Sequence, residues 1–266
     1  MGLKCIAEVF QREMCKIFSD LPGVEIVVDD ILIHGRNVNE HDQRLRNVLQ
    51  RCRDVNLKLN AAKSKLRCTE VDYVGHKLTK DGLMPTDDRV KSITALPDPK
   101  DHSDLATFLG MAAYVSKFIP NLSSMAEPLR KLHKSKDWYW TEIESNAVSA
   151  IKLALTSDRV LKYYDVNQPI TVTVDASQKG LGCSILQEDR VISYGSRALT
   201  DAETRYAQIE LEMLGVLFAF SKFHKLLYGK SNVTVESDHR PIESILSKPI
   251  GLINMVMITA AQTNIS

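Results

Sequence analysis

The segment from Ile26 to Gly35 constrains the fold most, because it places two adjacent carboxylates, Asp29 and Asp30, between two strongly β-forming apolar runs. Such runs are typical of buried strands, and a two-residue polar break between them predicts a tight hairpin. Two acids held together at a hairpin tip repel each other and lose hydration, and a bound divalent cation would relieve both effects. Hard oxygen ligands suit Mg²⁺ or Mn²⁺. The alternative is an Asp-Asp turn that only links two strands.

Composition and charge limit the classes of protein to which the chain can belong. The 266 residues suffice for one large or two modest domains. An apolar fraction of 44% is ordinary for a soluble globular chain. The net charge is only +1, but residues 36–67 hold nine Lys or Arg against three Asp or Glu. This local excess indicates either a phosphate-binding stretch or a solvated helix face.

Cysteine usage and hydropathy exclude several further classes. The five cysteines are odd in number and form no C-x-x-C pair, which predicts reduced intracellular thiols and neither a disulfide framework nor a zinc site. The N-terminus lacks the cationic lead and the apolar core of a signal peptide. No apolar run is long enough for a membrane span, so we expect no membrane partner.

Hydrophobic periodicity predicts the elements around the hairpin. An amphipathic helix is expected over Met1–Asp20, and a second helix with Asn39 as its N-cap follows the hairpin. A short strand is expected at Leu57–Leu59, and the Asp81-Gly82 pair is a turn signal between two strand-like runs. Three more helices are predicted downstream, at Asp87–Ala95, Asp101–Phe118 and Thr141–Ser157.

Three further acids lie at the ends or edges of elements predicted in the second half. One strand ends at Asp175, two more follow it in meander order, and another strand ends at Asp238. A long helix is expected over Tyr206–Tyr228, with Glu212 beside its apolar stripe, where an acid is costly unless it is paired, hydrated or bound to metal. Three convergent carboxylates suit two divalent ions that hydrolyse a phosphodiester. The alternative is three unrelated surface acids.

The first half resembles the reverse transcriptases of Gypsy-type long-terminal-repeat retrotransposons. Residues 23–35 resemble the metal-binding palm hairpin, whose pattern is an aromatic residue, any residue and then Asp-Asp; Val27 stands here at the aromatic position. Residues 73–76 resemble the primer grip, which orients the primer end for in-line phosphoryl transfer, and residues 108–120 resemble the thumb. The resemblance implies that Asp29 and Asp30 hold the polymerase ions. It also implies a set of nucleic-acid-binding residues, namely Tyr73, Val74, Gly75, His76 and Lys117.

The second half resembles the RNase H domain of the same Pol polyproteins. The resemblance rests on the motifs that begin at Asp175 (Asp-Ala-Ser), Gly180 (Gly-Leu-Gly), Glu210 (Glu-Leu-Glu-Met) and Ser237 (Ser-Asp-His-Arg-Pro). It implies that the nuclease ions are held by Asp175, Glu212 and Asp238. The resemblance covers nearly all of residues 1–249, and it lacks the fingers, an upstream metal-binding Asp and the end of RNase H.

We therefore expect an α+β chain in which a partial reverse transcriptase palm and a helical thumb/connection precede an RNase H-like mixed sheet with helices. The expected divisions are a partial palm with the primer-grip hairpin at 1–84, a thumb/connection at 85–160, a partial RNase H-like domain at 161–250, and an unmatched apolar tail at 251–266.

The function that the resemblance implies is RNA-directed DNA polymerisation coupled to hydrolysis of RNA in RNA–DNA hybrids, with the activity of this shorter chain impaired. The implied cofactor is Mg²⁺ or Mn²⁺. The implied partners are an RNA template, a DNA primer and their hybrid, with further polyprotein segments or a second copy completing the fold. We expect an intracellular location, either a cytoplasmic virus-like particle or the nucleus. The alternative is a catalytically degenerate module that binds nucleic acid or another protein.

Overall fold

A computed structural model describes residues 6–157 and 160–237. The chain divides into two compact units, Met1–Lys80 and Asp81–Ser266. Two sequence predictions, the metal ligand Asp238 and the apolar tail at 251–266, lie outside the described residues. The boundaries predicted inside the second unit, near residues 160 and 250, stay predictions.

The described part of the first unit consists of two helices and two short hairpins around a small core. Each helix contributes two buried side chains four residues apart to this core, namely Met14 and Phe18 from the first helix and Val48 and Cys52 from the second. Residues four apart lie on the same side of a helix, so each helix packs one apolar face on the core. The elements are α1 Ile6–Phe18, β1 Val24–Val27, β2 Asp30–Ile33, α2 Val38–Asp54, β3 Val71–Tyr73 and β4 His76–Leu78.

Two local predictions in this unit are wrong. Helix α2 is capped by Asn37 and not by Asn39, because the side-chain oxygen of Asn37 accepts a hydrogen bond from the backbone N–H of Glu40 at 2.9 Å. The strand expected at Leu57–Leu59 does not form, and residues 57–60 have no regular secondary structure. Leu57 packs on the helical core and its N–H donates to the carbonyl oxygen of Cys52 at 2.8 Å, whereas Leu59 is 44% exposed, so the run continues the end of α2 and does not pair as a strand.

The second unit begins with a helical layer, and the predicted starts at Asp101 and Thr141 are the N-caps of two of its helices. Asp101 accepts a hydrogen bond from the N–H of Asp104 at 2.8 Å, and Thr141 forms a capping box with Glu144. Phe108, which resembles a thumb residue, is only 1% exposed and lies in the core. The elements of this layer are β5 Leu83–Pro85, α3 Asp87–Thr94, α4 His102–Tyr114, a 3₁₀ turn at Ser116–Phe118, α5 Leu122–Met125, α6 Glu127–Lys134 and α7 Glu142–Thr156.

A four-stranded mixed sheet with one long helix completes the described part of this unit. The strand order is β8-β7-β6-β9; the first three strands are antiparallel, as the meander predicted, and β9 is parallel to β6. The helix expected over Tyr206–Tyr228 is divided at Phe223 into two pieces. The elements are β6 Ile170–Ser177, β7 Gly180–Gln187, β8 Arg190–Arg197, α8 Gln208–Lys222, α9 His224–Leu227 and β9 Val233–Ser237.

Helix α8 covers one face of this sheet at close range. Gly215 lies so near β6 that a Cβ atom there would come within 2.6 Å of the Val174 side chain. Ala176 packs with Leu211 of the same helix. The inward face of β6 is therefore the one that carries Val174 and Ala176. None of the described helices has the length and the apolar character that a bilayer crossing requires.

Candidate active sites

The first candidate site is the tip of the β1–β2 hairpin. The strands pair from Val24 opposite Ile33 to Val27 opposite Asp30, so the connecting residues are Val28 and Asp29. The predicted Asp-Asp break is therefore displaced by one residue: Asp29 lies in the turn, and Asp30 is the first residue of β2. Both carboxylates are exposed.

Gln11 of α1 holds this tip through its side-chain amide. Its Nε2 donates to the carbonyl oxygen of Ile26 at 3.0 Å, and its Oε1 accepts from the backbone N–H of Val28. Val28 adopts a φ of 55°, a conformation that a β-branched residue rarely takes. The amide therefore fixes the backbone on both sides of a strained turn, directly before the two acids.

The two faces of the hairpin have different environments. Val24 and Ile26, with Ile31 and Ile33, pack on the helical core. Successive strand residues point to opposite faces, so Glu25 and Asp30 lie on the other, open face. The apolar face thus anchors the hairpin, while the open face presents carboxylates to solvent.

The second hairpin, β3–β4, carries the residues predicted to grip a primer. Its tip consists of Val74 at φ 50° and Gly75 at φ 72°, and the His76 ring nitrogen lies 2.7 Å from the carbonyl oxygen of Val74. Burial raises the pKa of Tyr73, and the charges of Glu25 and Asp30 raise it further. Within the described chain the buried Tyr73 hydroxyl has no hydrogen-bond partner. Of the residues predicted to grip a primer, Tyr73 thus lies within electrostatic range of Asp30, a predicted metal ligand.

Lys117 is the one predicted nucleic-acid-binding residue that belongs to the second unit. Its ammonium group lies 5.2 Å from the centre of the Phe118 ring, within the range of a cation–π contact. Burial lowers the pKa of Lys117. The side chain is thus partly buried against its own segment.

The second candidate site lies at the carboxyl end of β6. Val174 and Ala176 face α8, so Asp175 points to the opposite face of the sheet. There the Asn121 side-chain amide donates to its Oδ2 at 2.9 Å. The same amide covers Gly182 of β7, where a Cβ atom would come within 2.2 Å of the Asn121 oxygen. Asp175 is therefore exposed but held by a specific donor.

Glu212 occupies the other face of the sheet and is only 2% exposed. Its Oε1 accepts from Gln208 Nε2 at 2.9 Å, and Gln208 also donates to the carbonyl oxygen of Ala176 at 2.8 Å. Its Oε2 accepts from the Ser237 hydroxyl at 3.4 Å. The helix thus brings Glu212 to the ends of β6 and β9.

The strand register shows which predicted nuclease ligands lie close together. Val174 is paired with Ser237, so the carboxyl ends of these two parallel strands are adjacent. Asp238, the third predicted ligand, follows Ser237 and lies outside the described residues. Within residues 6–157 and 160–237, no three His, Cys, Asp or Glu side chains converge in a way that would hold a metal ion.

Three residues at or near the candidate sites were not predicted as site residues from the sequence: Gln11, Glu25 and Asn121. Glu25 could have been found from the sequence. It lies two residues before Val27, the partner of Asp30 across a two-residue turn, and residues two apart on a strand share a face. Gln11 and Asn121 could not have been found, since both act across segments that are distant in sequence.

Parts of both halves of the chain match known protein families. Residues 1–78 match the family "Reverse transcriptase (RNA-dependent DNA polymerase)", and residues 140–235 match the "RNase H-like domain found in reverse transcriptase". The Pol polyprotein of the Drosophila melanogaster transposon gypsy is 30% identical over 256 residues, which is 91% of this chain and 25% of that protein. The chain therefore contains a reverse transcriptase segment and an RNase H-like segment similar to those of retrotransposon Pol polyproteins.

Other relatives of this chain give the same result. The Pol polyprotein of the Drosophila melanogaster transposon 297 is 32% identical over 249 residues, 91% of this chain and 23% of that protein. The Tf2-3 polyprotein of Schizosaccharomyces pombe is 31% identical over 90% of this chain and 19% of its own length. The chain thus spans about a quarter or less of these curated relatives.

Solved structures confirm the α+β fold of this chain. A foamy viral protease-reverse transcriptase in complex with dsDNA superposes with a TM-score of 0.83 at 23% identity, over 94% of this chain and 53% of that chain. One in complex with an RNA/DNA hybrid gives a TM-score of 0.79 at 23% identity, over 92% of this chain and 34% of that chain.

The family matches include most of the predicted site residues. Asp29, Asp30 and the hairpin at 73–76 fall within the reverse transcriptase match. Asp175 and Glu212 fall within the RNase H-like match. Asp238 lies three residues beyond it.

Proposed function

We propose that this chain carries part of the polymerase centre and the core of the nuclease centre of a retrotransposon reverse transcriptase. The reactions are RNA-directed DNA polymerisation and hydrolysis of RNA in RNA–DNA hybrids. The observation that supports this most strongly is the Asp29–Asp30 tip, which is exposed, held by Gln11 and adjacent to Tyr73 of the primer-grip hairpin.

Divalent metal ions are general cofactors of both families, and the donors here suit Mg²⁺ or Mn²⁺. Asp29 and Asp30 offer hard, exposed carboxylate oxygens on a fixed turn, and Asp175, Glu212 and Asp238 form the corresponding nuclease set. Such ions, when bound, stabilise the charge that develops on the attacking and leaving oxygens.

The surrounding residues position the reacting groups. Gln11 fixes the backbone before the acids, and residues 73–76 orient the primer end beside them. At the nuclease centre Asn121 orients Asp175, and Gln208 orients Glu212. These contacts reduce the side-chain freedom that metal binding would otherwise have to restrict.

The proposed partners are an RNA template, a DNA primer and their hybrid. The foamy viral relatives were solved with dsDNA and with an RNA/DNA hybrid, which supports nucleic acid as the partner of this chain. We further propose that other segments of a Pol polyprotein, or a second copy of the chain, supply the groups that clamp the incoming nucleotide.

Cleavage of a labelled RNA–DNA hybrid tests the nuclease proposal. The purified 266-residue chain is incubated with Mg²⁺ and separately with Mn²⁺, beside the variant Asp175→Asn. We expect cleavage of the RNA strand that disappears in the variant. Equal cleavage by both proteins would exclude Asp175 as a metal ligand.

One observation favours a second candidate, a catalytically degenerate module that binds nucleic acid. Asp175 and Glu212 lie on opposite faces of the sheet, and each is already bonded to an amide. This candidate predicts hybrid binding without metal-dependent turnover. A protein-interaction module would instead show no affinity for the hybrid.

A further inference from the structure

A basic groove lies on the second unit where α8 ends against β8. It is open, has a volume of about 370 Å³, and is lined by the end of α8, the start of α9 and Ser193 of β8. Its polar lining consists of two lysines, one histidine and two hydroxyls, with no carboxylate among them: Ser193, Ser221, Lys222, His224 and Lys225.

The two lysines have no acid to neutralise them within the described residues. Elsewhere in this unit Lys131 is paired with Glu127 and Lys162 with Glu188, whereas Lys222 and Lys225 form no ion pair in residues 160–237. Both are exposed. Two unpaired ammonium groups three residues apart on one surface attract an anion with more than one charge.

The groove is held in place by buried and hydrogen-bonded neighbours. Gly195 leaves room for the Lys222 stem, whose Cγ lies 3.1 Å from where a Cβ atom would be. Phe223 is buried in the core beside it. The Tyr164 hydroxyl donates to the carbonyl oxygen of Leu226 at 2.8 Å. The lysines therefore extend from an anchored surface.

The positive charge of Lys222 also reaches the buried thiol behind it. Burial raises the pKa of Cys183 to about 12, and the charge of Lys222 opposes that rise.

We propose that this groove binds the phosphodiester backbone of an RNA–DNA hybrid whose RNA strand enters the nuclease centre. The proposal rests on the nucleic-acid-binding function proposed above. Lys222 follows Glu212 by ten residues on the same helix, which is about 15 Å along its axis. Successive phosphates of one strand advance by about 3.4 Å, so this separation corresponds to about four nucleotides. The groove would thus grip the duplex several nucleotides from the cleavage point.

Salt-dependent binding tests this proposal. Affinity of the full chain for a fluorescent RNA–DNA hybrid is measured by anisotropy without divalent metal, from about 50 to 200 mM KCl, the range in which counterion release is well resolved. The variant is Lys222→Glu/Lys225→Glu, and Lys222→Arg/Lys225→Arg preserves the charge. Lys91→Glu/Lys136→Glu makes the same charge change at two exposed lysines outside the groove.

The expected result is that the groove charge reversal, Lys222→Glu/Lys225→Glu, lowers the affinity for the hybrid at least tenfold at low salt. The slope of log affinity against log salt is negative, and its magnitude should decrease by about 2, since each of the two lost phosphate contacts removes about 0.9. The arginine variant should bind like the original chain, and the outside reversal should keep its slope.

Two other outcomes would overturn the proposal in different ways. If the original chain binds hybrid and the groove reversal changes the slope no more than the outside reversal, the groove is not a contact and the proposed function stands. If the original chain does not bind hybrid at all, the proposed nucleic-acid function fails and the groove assignment fails with it.

Discussion

Gln11 and Val28 are joined across the first unit by a hydrogen bond from the Val28 N–H to the Gln11 side-chain oxygen. The same amide donates to Ile26 at 3.0 Å, so a single side chain spans the turn that precedes the acids. The contact connects α1 to the candidate metal ligands, although the residues are 17 apart in sequence. It explains how a valine is kept at a φ of 55°.

Replacing Gln11 by methionine should loosen this tip. Gln11→Met preserves length but removes both backbone bonds and the contact from Nε2 to the Cys15 sulfur, and we expect the free energy of unfolding to fall by about 1 kcal/mol. Mn²⁺ affinity, titrated by electron paramagnetic resonance, should fall as well, because the acids lose their fixed backbone. The control is Gln50→Met on α2, which removes surface contacts to Arg53 and Asp54 and should leave Mn²⁺ affinity unchanged. Equal effects of the two variants would contradict a positioning role.

Replacing Val74 at the tip of the β3–β4 hairpin by asparagine should stabilise the fold. Val74 and Gly75 both have positive φ, the pattern of a type I′ turn, for which Asn-Gly is favoured. Val74 is 46% exposed, so Val74→Asn gives up little burial. We expect the free energy of unfolding to rise by about 1 kcal/mol, measured by urea denaturation. An unchanged or lower value would show that the valine side chain stabilises the hairpin through contacts of its own.

Local patterns in the sequence predicted the elements better than the contacts between them. Alternation and turn spacing predicted the β1–β2 hairpin and the β6–β7–β8 meander, because strand pairing follows side-chain period and loop length. The one-residue displacement of the turn places Val28 at a positive φ, where its backbone is bonded to Gln11 of another segment, and local sequence contains no signal for that contact.

For the nuclease acids, too, the sequence predicted which residues matter better than it predicted their contacts. Asp175 and Glu212 were identified by their motifs. Their placement on opposite faces of the sheet follows from the packing of α8 on Val174 and Ala176. The alternation along β6 indicates that Asp175 faces away from Val174 and Ala176, but which helix covers the apolar face is a tertiary choice that this alternation does not encode.

Glu203 should make stability depend on pH in the acid range. The Arg197 guanidinium, bonded at 2.8 and 2.9 Å, lowers the pKa of Glu203 from 4.5 to about 2. A depressed carboxyl pKa stabilises the folded state above about pH 4.5, and this stabilisation is lost as the pH falls toward 2. Partial exposure reduces the effect to about 1–2 kcal/mol. Chemical unfolding between pH 2 and 7 should show this slope, and Glu203→Gln should flatten it. A variant as pH-dependent as the original chain would assign the slope to other carboxylates.

Two glycine substitutions should change stability in opposite directions. A Cβ atom at Gly182 would lie 2.2 Å from the Asn121 oxygen, whereas one at Gly110 in α4 would meet nothing within 4 Å. Gly182→Ala should displace the amide that holds Asp175, and we expect a loss of about 1–3 kcal/mol. Gly110→Ala should add about 0.5–1 kcal/mol, because alanine loses less backbone entropy in a helix.

Thermal unfolding of both variants, with hybrid cleavage in Mn²⁺, would separate the two effects. Gly182→Ala should lower the melting temperature and slow cleavage, since Asp175 loses its donor. Gly110→Ala should raise the melting temperature and leave cleavage unchanged. If Gly182→Ala kept the original melting temperature and cleavage rate, the Asn121 amide could not be what orients Asp175, and the carboxylate would have to be placed by the strand alone.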